Sequence, residues 1–118
     1  MANPLKGEVA FQVEGESYTL VFAVNAICQM EAALDLSVSE IAAELDLGLN
    51  VTFLRTVFWA ALLQHHGVDL TRAGELMTAF GVKPSAKLII EAFRLAFPQE
   101  DASAPARPPK AKARAGTG

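Results

Sequence analysis

The stretch from Asn50 to His66, Asn-Val-Thr-Phe-Leu-Arg-Thr-Val-Phe-Trp-Ala-Ala-Leu-Leu-Gln-His-His, constrains this chain more than any other. It holds the one tryptophan and the densest run of large apolar side chains. At about 100° per residue, Phe53, Leu54, Val57, Phe58, Ala61 and Leu62 fall on one broad face, the pattern of a helix buried along one side. Asn50 is placed to cap its start. Thr52, Arg55, Thr56 and His66 fall on the opposite side, joined there by Trp59 and Leu63. Two readings of that second side stand open. Either the hairpin or the last helix covers it, or Arg55, Trp59 and Leu63 form a patch that binds a partner, Trp and Arg being frequent among residues that dominate binding energy.

The rest of the chain supplies elements to cover this helix. Glu8 to Val13 alternates Val9, Phe11 and Val13 on one face, and Tyr18 to Val24 is rich in aromatic and β-branched residues. With Glu14-Gly-Glu-Ser17 between them they read as a β-hairpin, Gly15 supplying the positive φ of a short turn. A lone hairpin is marginal in water, so Val9, Phe11, Leu20 and Phe22 are expected to pack on helices. Asn25 is read as the cap of a helix through Leu34, with Ile27, Met30 and Leu34 inward. After a break at Asp35-Leu36, Ser37-Val-Ser-Glu40 forms a capping box opening a short helix that ends by Gly48. The central helix is expected to stop near His66-Gly67. A fourth helix starts at Asp69 or Thr71 and closes at Gly81; Val82-Lys-Pro-Ser85 reads as a turn, with Ser85 capping a last helix to Phe97.

From Gln99 the composition turns to Ala, Pro, Lys, Arg and Gly, too poor in apolar groups to offset ordering entropy. The expected fold is therefore α+β and mainly α: an N-terminal β-hairpin packed on four to five helices within residues 1–98, then a disordered tail over 99–118. At 118 residues, 52% of them hydrophobic, the chain has enough for one core. Its net charge of −3 combines a tail of +2 with a body of −5, which argues against nucleic acid as the main ligand. The polar, proline-broken start does not read as a secretory signal, and charged residues interrupt every apolar run before the ~20 residues of a membrane span. A single cysteine, Cys28, excludes an intrachain disulfide and fits a reduced, cytoplasmic setting.

The reactive side chains read as structural or solvated. His65 and His66 diverge by about 100° on a helix and cannot share one ion, so they read as helix-terminal residues. Cys28 has no neighbouring cation to hold a thiolate and reads as a small packing residue. Glu40, Glu44 and Asp46 lack the Gly-centred loop of a cation site and read as a solvated face. No phosphate-binding glycine loop or nucleophile elbow occurs. No catalytic, cofactor-binding or metal-binding residue is assigned, and no cofactor is expected.

The order of hairpin, Asn25-Ala-Ile-Cys-Gln-Met-Glu31, Ser-capped helix, Arg55-Thr-Val-Phe-Trp-Ala-Ala-Leu62, His65-His66, Asp69-Leu-Thr-Arg-Ala-Gly74 and Glu91-Ala-Phe-Arg-Leu-Ala-Phe-Pro98 resembles the gene transfer agent family of small phage tail proteins. The likeness runs from about Gly7 to Pro98 and departs from the family pattern at Gln29 and Met30. Members have been labelled both tail tube proteins and tail assembly chaperones. The resemblance implies a non-enzymatic protein acting in the producing cell, with the tape measure protein, the tail tube protein or both as partners, self-association as an additional mode, and neither nucleic acid nor membrane. Because tube subunits are built on extensive sheet and only two strands are visible here, the chaperone is the expected role. A tail component retained in the particle and a prophage-encoded regulatory binding module are the competing roles.

Overall fold

The computed structural model describes residues 3–97; the disordered tail expected from Gln99 lies outside the described residues. A 3-10 turn, Pro4–Lys6, precedes two strands, β1 (Val9–Val13) and β2 (Glu16–Leu20). Five helices follow: α1 (Val24–Leu34), α2 (Val38–Leu45), α3 (Val51–Leu62), α4 (Leu70–Phe80) and α5 (Val82–Ala96). The fold is α+β, with one antiparallel hairpin among mainly helical elements.

The hairpin register follows from its turn. Val13 pairs with Glu16, leaving Glu14 and Gly15 as a two-residue loop, both with positive φ (54° and 85°) as a type I′ turn requires. That register keeps Val9, Phe11 and Val13 on the buried face. Phe11 sits opposite Tyr18, their rings stacked at 5.5 Å, and reaches Phe58 of α3 at 5.5 Å and Phe80 of α4 at 5.2 Å. One aromatic side chain thus joins the sheet to two helices. β2 ends at Leu20, earlier than its β-branched composition predicts. The Val21 N–H leaves the ladder and donates to the Ala61 carbonyl at 3.0 Å, satisfying one of the acceptors that the end of α3 leaves unpaired.

α3 runs through the middle, with α1, α4, α5 and β2 packed around it. Its expected apolar face is buried throughout, Val57, Phe58, Ala61 and Leu62 being fully inaccessible. Asn50 caps it as expected, the Asn50 side chain accepting from the Phe53 N–H at 3.2 Å. The capping box is also formed: the Glu40 N–H donates to Ser37 Oγ at 3.1 Å and the Ser37 N–H to Glu40 Oε1 at 2.8 Å. Asp69 caps α4 through the Arg72 N–H at 2.8 Å.

Four local expectations are corrected. α1 begins at Val24, one residue before Asn25, because the Ile27 N–H already donates to the Ala23 carbonyl at 2.9 Å; Asn25 caps nothing. Ser85 is not a cap but a fully buried residue inside α5, which begins at Val82. Pro84 does not delay that start, since the first N–H groups of a helix have no intrahelical partner to lose. Gly81 (φ 109°) makes the sharp junction between α4 and α5, where a Cβ would meet Pro84 Cδ at 3.0 Å. α3 ends at Leu62 rather than near His66, its chain tightening as the Leu63 N–H bonds Ala60 and the His65 N–H bonds Leu62. Cys28 is exposed on α1 rather than packed.

Candidate functional site

The second side of α3 holds the three residues singled out for partner binding. Arg55, Trp59 and Leu63 lie four residues apart, so they form one stripe. All three are half-buried. Trp59 packs against the main core, which favours the reading in which neighbouring elements cover this side. Thr56, assigned to the polar side, is itself buried at 8% exposure and donates from Oγ1 to the Thr52 carbonyl at 3.3 Å.

The ends of the stripe meet different neighbours. Arg55 lays its aliphatic stem on α4 at Gly74, where an added Cβ would sit 3.2 Å from Arg55 Cδ. This contact explains a glycine in mid-helix, a position that costs about 0.5–1 kcal/mol relative to alanine. Arg55 Nε is shielded from solvent and has no hydrogen-bond partner among the described residues. Leu63, at the other end, borders a shallow depression with Asn25, Ala26, Gln29 and Gln64. The stripe therefore presents an arginine head, part of an indole and part of a leucine, bounded by α4 and α1.

The two histidines act on the hairpin. The Thr19 N–H donates to His66 Nε2 at 3.0 Å, and the His66 ring lies 5.1 Å from that of Tyr18. Accepting there requires the neutral ring with its proton on Nδ1. Burial, reinforced by the neighbouring His65, holds the His66 pKa below the ordinary imidazole value. His65 Nε2 lies 3.2 Å from Glu8 Oε2. The Asn3 N–H, at 2.9 Å from Glu8 Oε1, together with His65, lowers the Glu8 pKa against an opposing desolvation. Two adjacent residues thus tie the segment after α3 to Glu8, just before β1, and to Thr19 of β2, their own rings lying 6.3 Å apart. Among the described residues no group of three His, Cys, Asp or Glu side chains is placed to hold a metal ion.

A second, more exposed surface leads into this stripe from the start of α3. Leu47, Leu49 and Val51, at the junction of α2 and α3, are 78%, 55% and 53% exposed. The sequence carried a signal of it, the alternation Leu45-Asp-Leu-Gly-Leu-Asn-Val51, which reading Gly48 only as a helix stop passes over. Among the described residues no helix is long and apolar enough to cross a membrane. In comparisons with known proteins, no family model, curated protein or solved structure matches this chain.

Proposed function

We propose that this chain is a non-enzymatic tail assembly chaperone of a phage-like particle, binding the tape measure protein, the tail tube subunit or both while the tail is built. The observation that carries this reading is the balance of its architecture. One two-stranded hairpin supplies little sheet for a subunit that must close a tube ring, whereas five helices with exposed leucines at a junction suit passing contact with helical segments. The order of motifs that resembles small phage tail proteins gives the reading its biological setting. Within it, only the part of the Arg55, Trp59 and Leu63 stripe that the core leaves exposed is assigned to the partner, the rest of the indole being packed on the core.

Quantitative mass spectrometry tests the role. Purified particles are compared with the lysate of the producing cells, using the tube subunit as internal standard. A chaperone is present in the lysate, co-purifies there with the tape measure protein, and is absent or far below tube stoichiometry in particles. Recovery in particles at the stoichiometry of a tube component overturns the proposal in favour of a structural tail protein.

A further inference from the structure

From Gly7 to Leu54 the chain has no Lys, Arg or His and eight carboxylates, five of them, Glu31, Asp35, Glu40, Glu44 and Asp46, in the segment that forms α1, α2 and their junctions. Two of the five are engaged locally, Glu31 accepting from the Val38 N–H at 2.8 Å and Glu40 in the capping box. Glu44 and Asp46 have no ion-pair partner among the described residues and lead directly into the exposed Leu47, Leu49 and Val51. An acidic approach thus borders an apolar step.

We infer that the junction of α2 and α3 is a docking surface for a cationic amphipathic helix supplied by another protein. Leu47 to Val51 spans at most about 14 Å of extended chain. The apolar anchors of a partner helix at i, i+3 or i+4, and i+7 span about 10 Å, so one helix face covers the patch. Lys or Arg flanking those anchors meets Glu44 and Asp46, and complementary charge sets both the partner choice and the rate of encounter. A second copy of this chain is disfavoured because it would bring the same acidic surface against itself in a two-fold pairing. The chain's own segment after Pro98 has the cations Arg107, Lys110, Lys112 and Arg114 but only Ala, Pro and small polar residues around them, nothing to cover two leucines and a valine. Anionic lipid and nucleic acid are repelled by the carboxylates. The surface meets the α3 stripe at Val51, one helical turn before Arg55, and the inference holds whether or not the partner belongs to a tail.

The test measures fluorescence anisotropy of two labelled helical peptides of equal length and leucine pattern, one with Lys and one with Glu on the polar face, added to the full chain. The Lys/Leu peptide binds and the Glu/Leu peptide does not. Leu47→Ser with Leu49→Ser weakens binding about tenfold or more with an unchanged melting temperature. Glu44→Lys with Asp46→Lys, which leaves the leucines in place, weakens it comparably and keeps the question answerable if the serine variant is unstable. Equal binding of both peptides, or binding indifferent to both pairs of substitutions, overturns the inference. So does either alternative occupant: a wild-type dimer in sedimentation that Leu49→Ser dissociates, or an affinity for the Lys/Leu peptide that rises about tenfold when the four cations after Pro98 are replaced by alanine.

Discussion

α3 and α2 are neighbours in sequence, both begin at well-formed side-chain caps, and they end in opposite environments. α3 buries eight residues, among them residues on the side where its polar groups fall. α2 buries only Ile41, and its downstream junction leaves Leu47, Leu49 and Val51 exposed. The difference shows that an apolar stripe states which face of a helix can be buried, whereas the number of neighbours decides how much of it is. α3 has α1, α4, α5 and β2 around it. α2 lies at the edge, held by the buried Ile41, the half-buried Val38, Ala42 and Leu45, a capping box and the Glu31 carboxylate at the Val38 N–H.

The largest expected effect sharpens the α3 side of that contrast. Trp59→Ala removes an indole packed against the core, and half-burial places the loss at or just below the ~3–5 kcal/mol of a fully buried aromatic. Urea unfolding reads it directly. A stability unchanged from wild type, with loss of the tape measure protein from pull-downs, would show that the stripe is an interface alone and that α3 is covered on only one side.

A smaller effect is expected on α2. Ser37→Ala deletes the acceptor for the Glu40 N–H and costs about 0.5–2 kcal/mol. Because α2 is peripheral, the loss appears first as helix fraying in amide chemical shifts of residues 38–45, with those of α3 unmoved. Equal perturbation of both helices would deny that they differ in independence.

The hairpin latch gives a pH-dependent effect on the order of one net hydrogen bond, about 1 kcal/mol. His66 has a lowered folded pKa, so the unfolded chain binds the extra proton first. The stabilisation is complete above the ordinary imidazole value of 6.5 and is lost as pH falls below it toward the folded pKa. The lowered Glu8 pKa adds a further loss at lower pH, below the ordinary carboxyl value of 4.5. His66→Gln, which has an acceptor oxygen and no titration, flattens the first of these two steps; a step of unchanged size in melting temperature between pH 7 and 5 would remove His66 as its source. At the small end, Leu49→Ser is expected to change stability by no more than about 0.5 kcal/mol, since its side chain is more than half exposed. Thermal unfolding of that variant checks whether the junction contributes to the core.

Legibility in the sequence followed locality. The positive φ at Gly15, the capping box, the Asn50 cap and the buried face of α3 are short-range signals in which each residue's partner lies within four positions, and they are readable; the hairpin loop reads two residues too long, since β2 already begins at Glu16, and the start of α4 reads as either Asp69 or Thr71. The Asn25 and Ser85 caps were misread for a related reason. A capping side chain is recognised by type, but the first hydrogen bond of the helix is fixed by φ and ψ at Ala23 and Gly81, which residue type does not reveal. The latch between His66 and Thr19 spans 47 residues and leaves no periodic trace. Half-burial of Trp59 and burial of Thr56 depend on which elements close over α3, a tertiary fact absent from the helical period. The exposed junction was written in the alternation from Leu45 to Val51, yet only its lack of neighbours turns that pattern into a surface.

Native-state hydrogen exchange tests the contrast between the two helices most directly. If α3 is the enclosed centre and α2 an edge element, the slowest amides of α3 exchange only through global unfolding and share its dependence on denaturant. Those of α2 then exchange through smaller openings with little such dependence. Equal protection and equal denaturant dependence for residues 38–45 and 51–62 would contradict the account, because α2 would be as firmly held as the helix it leads into.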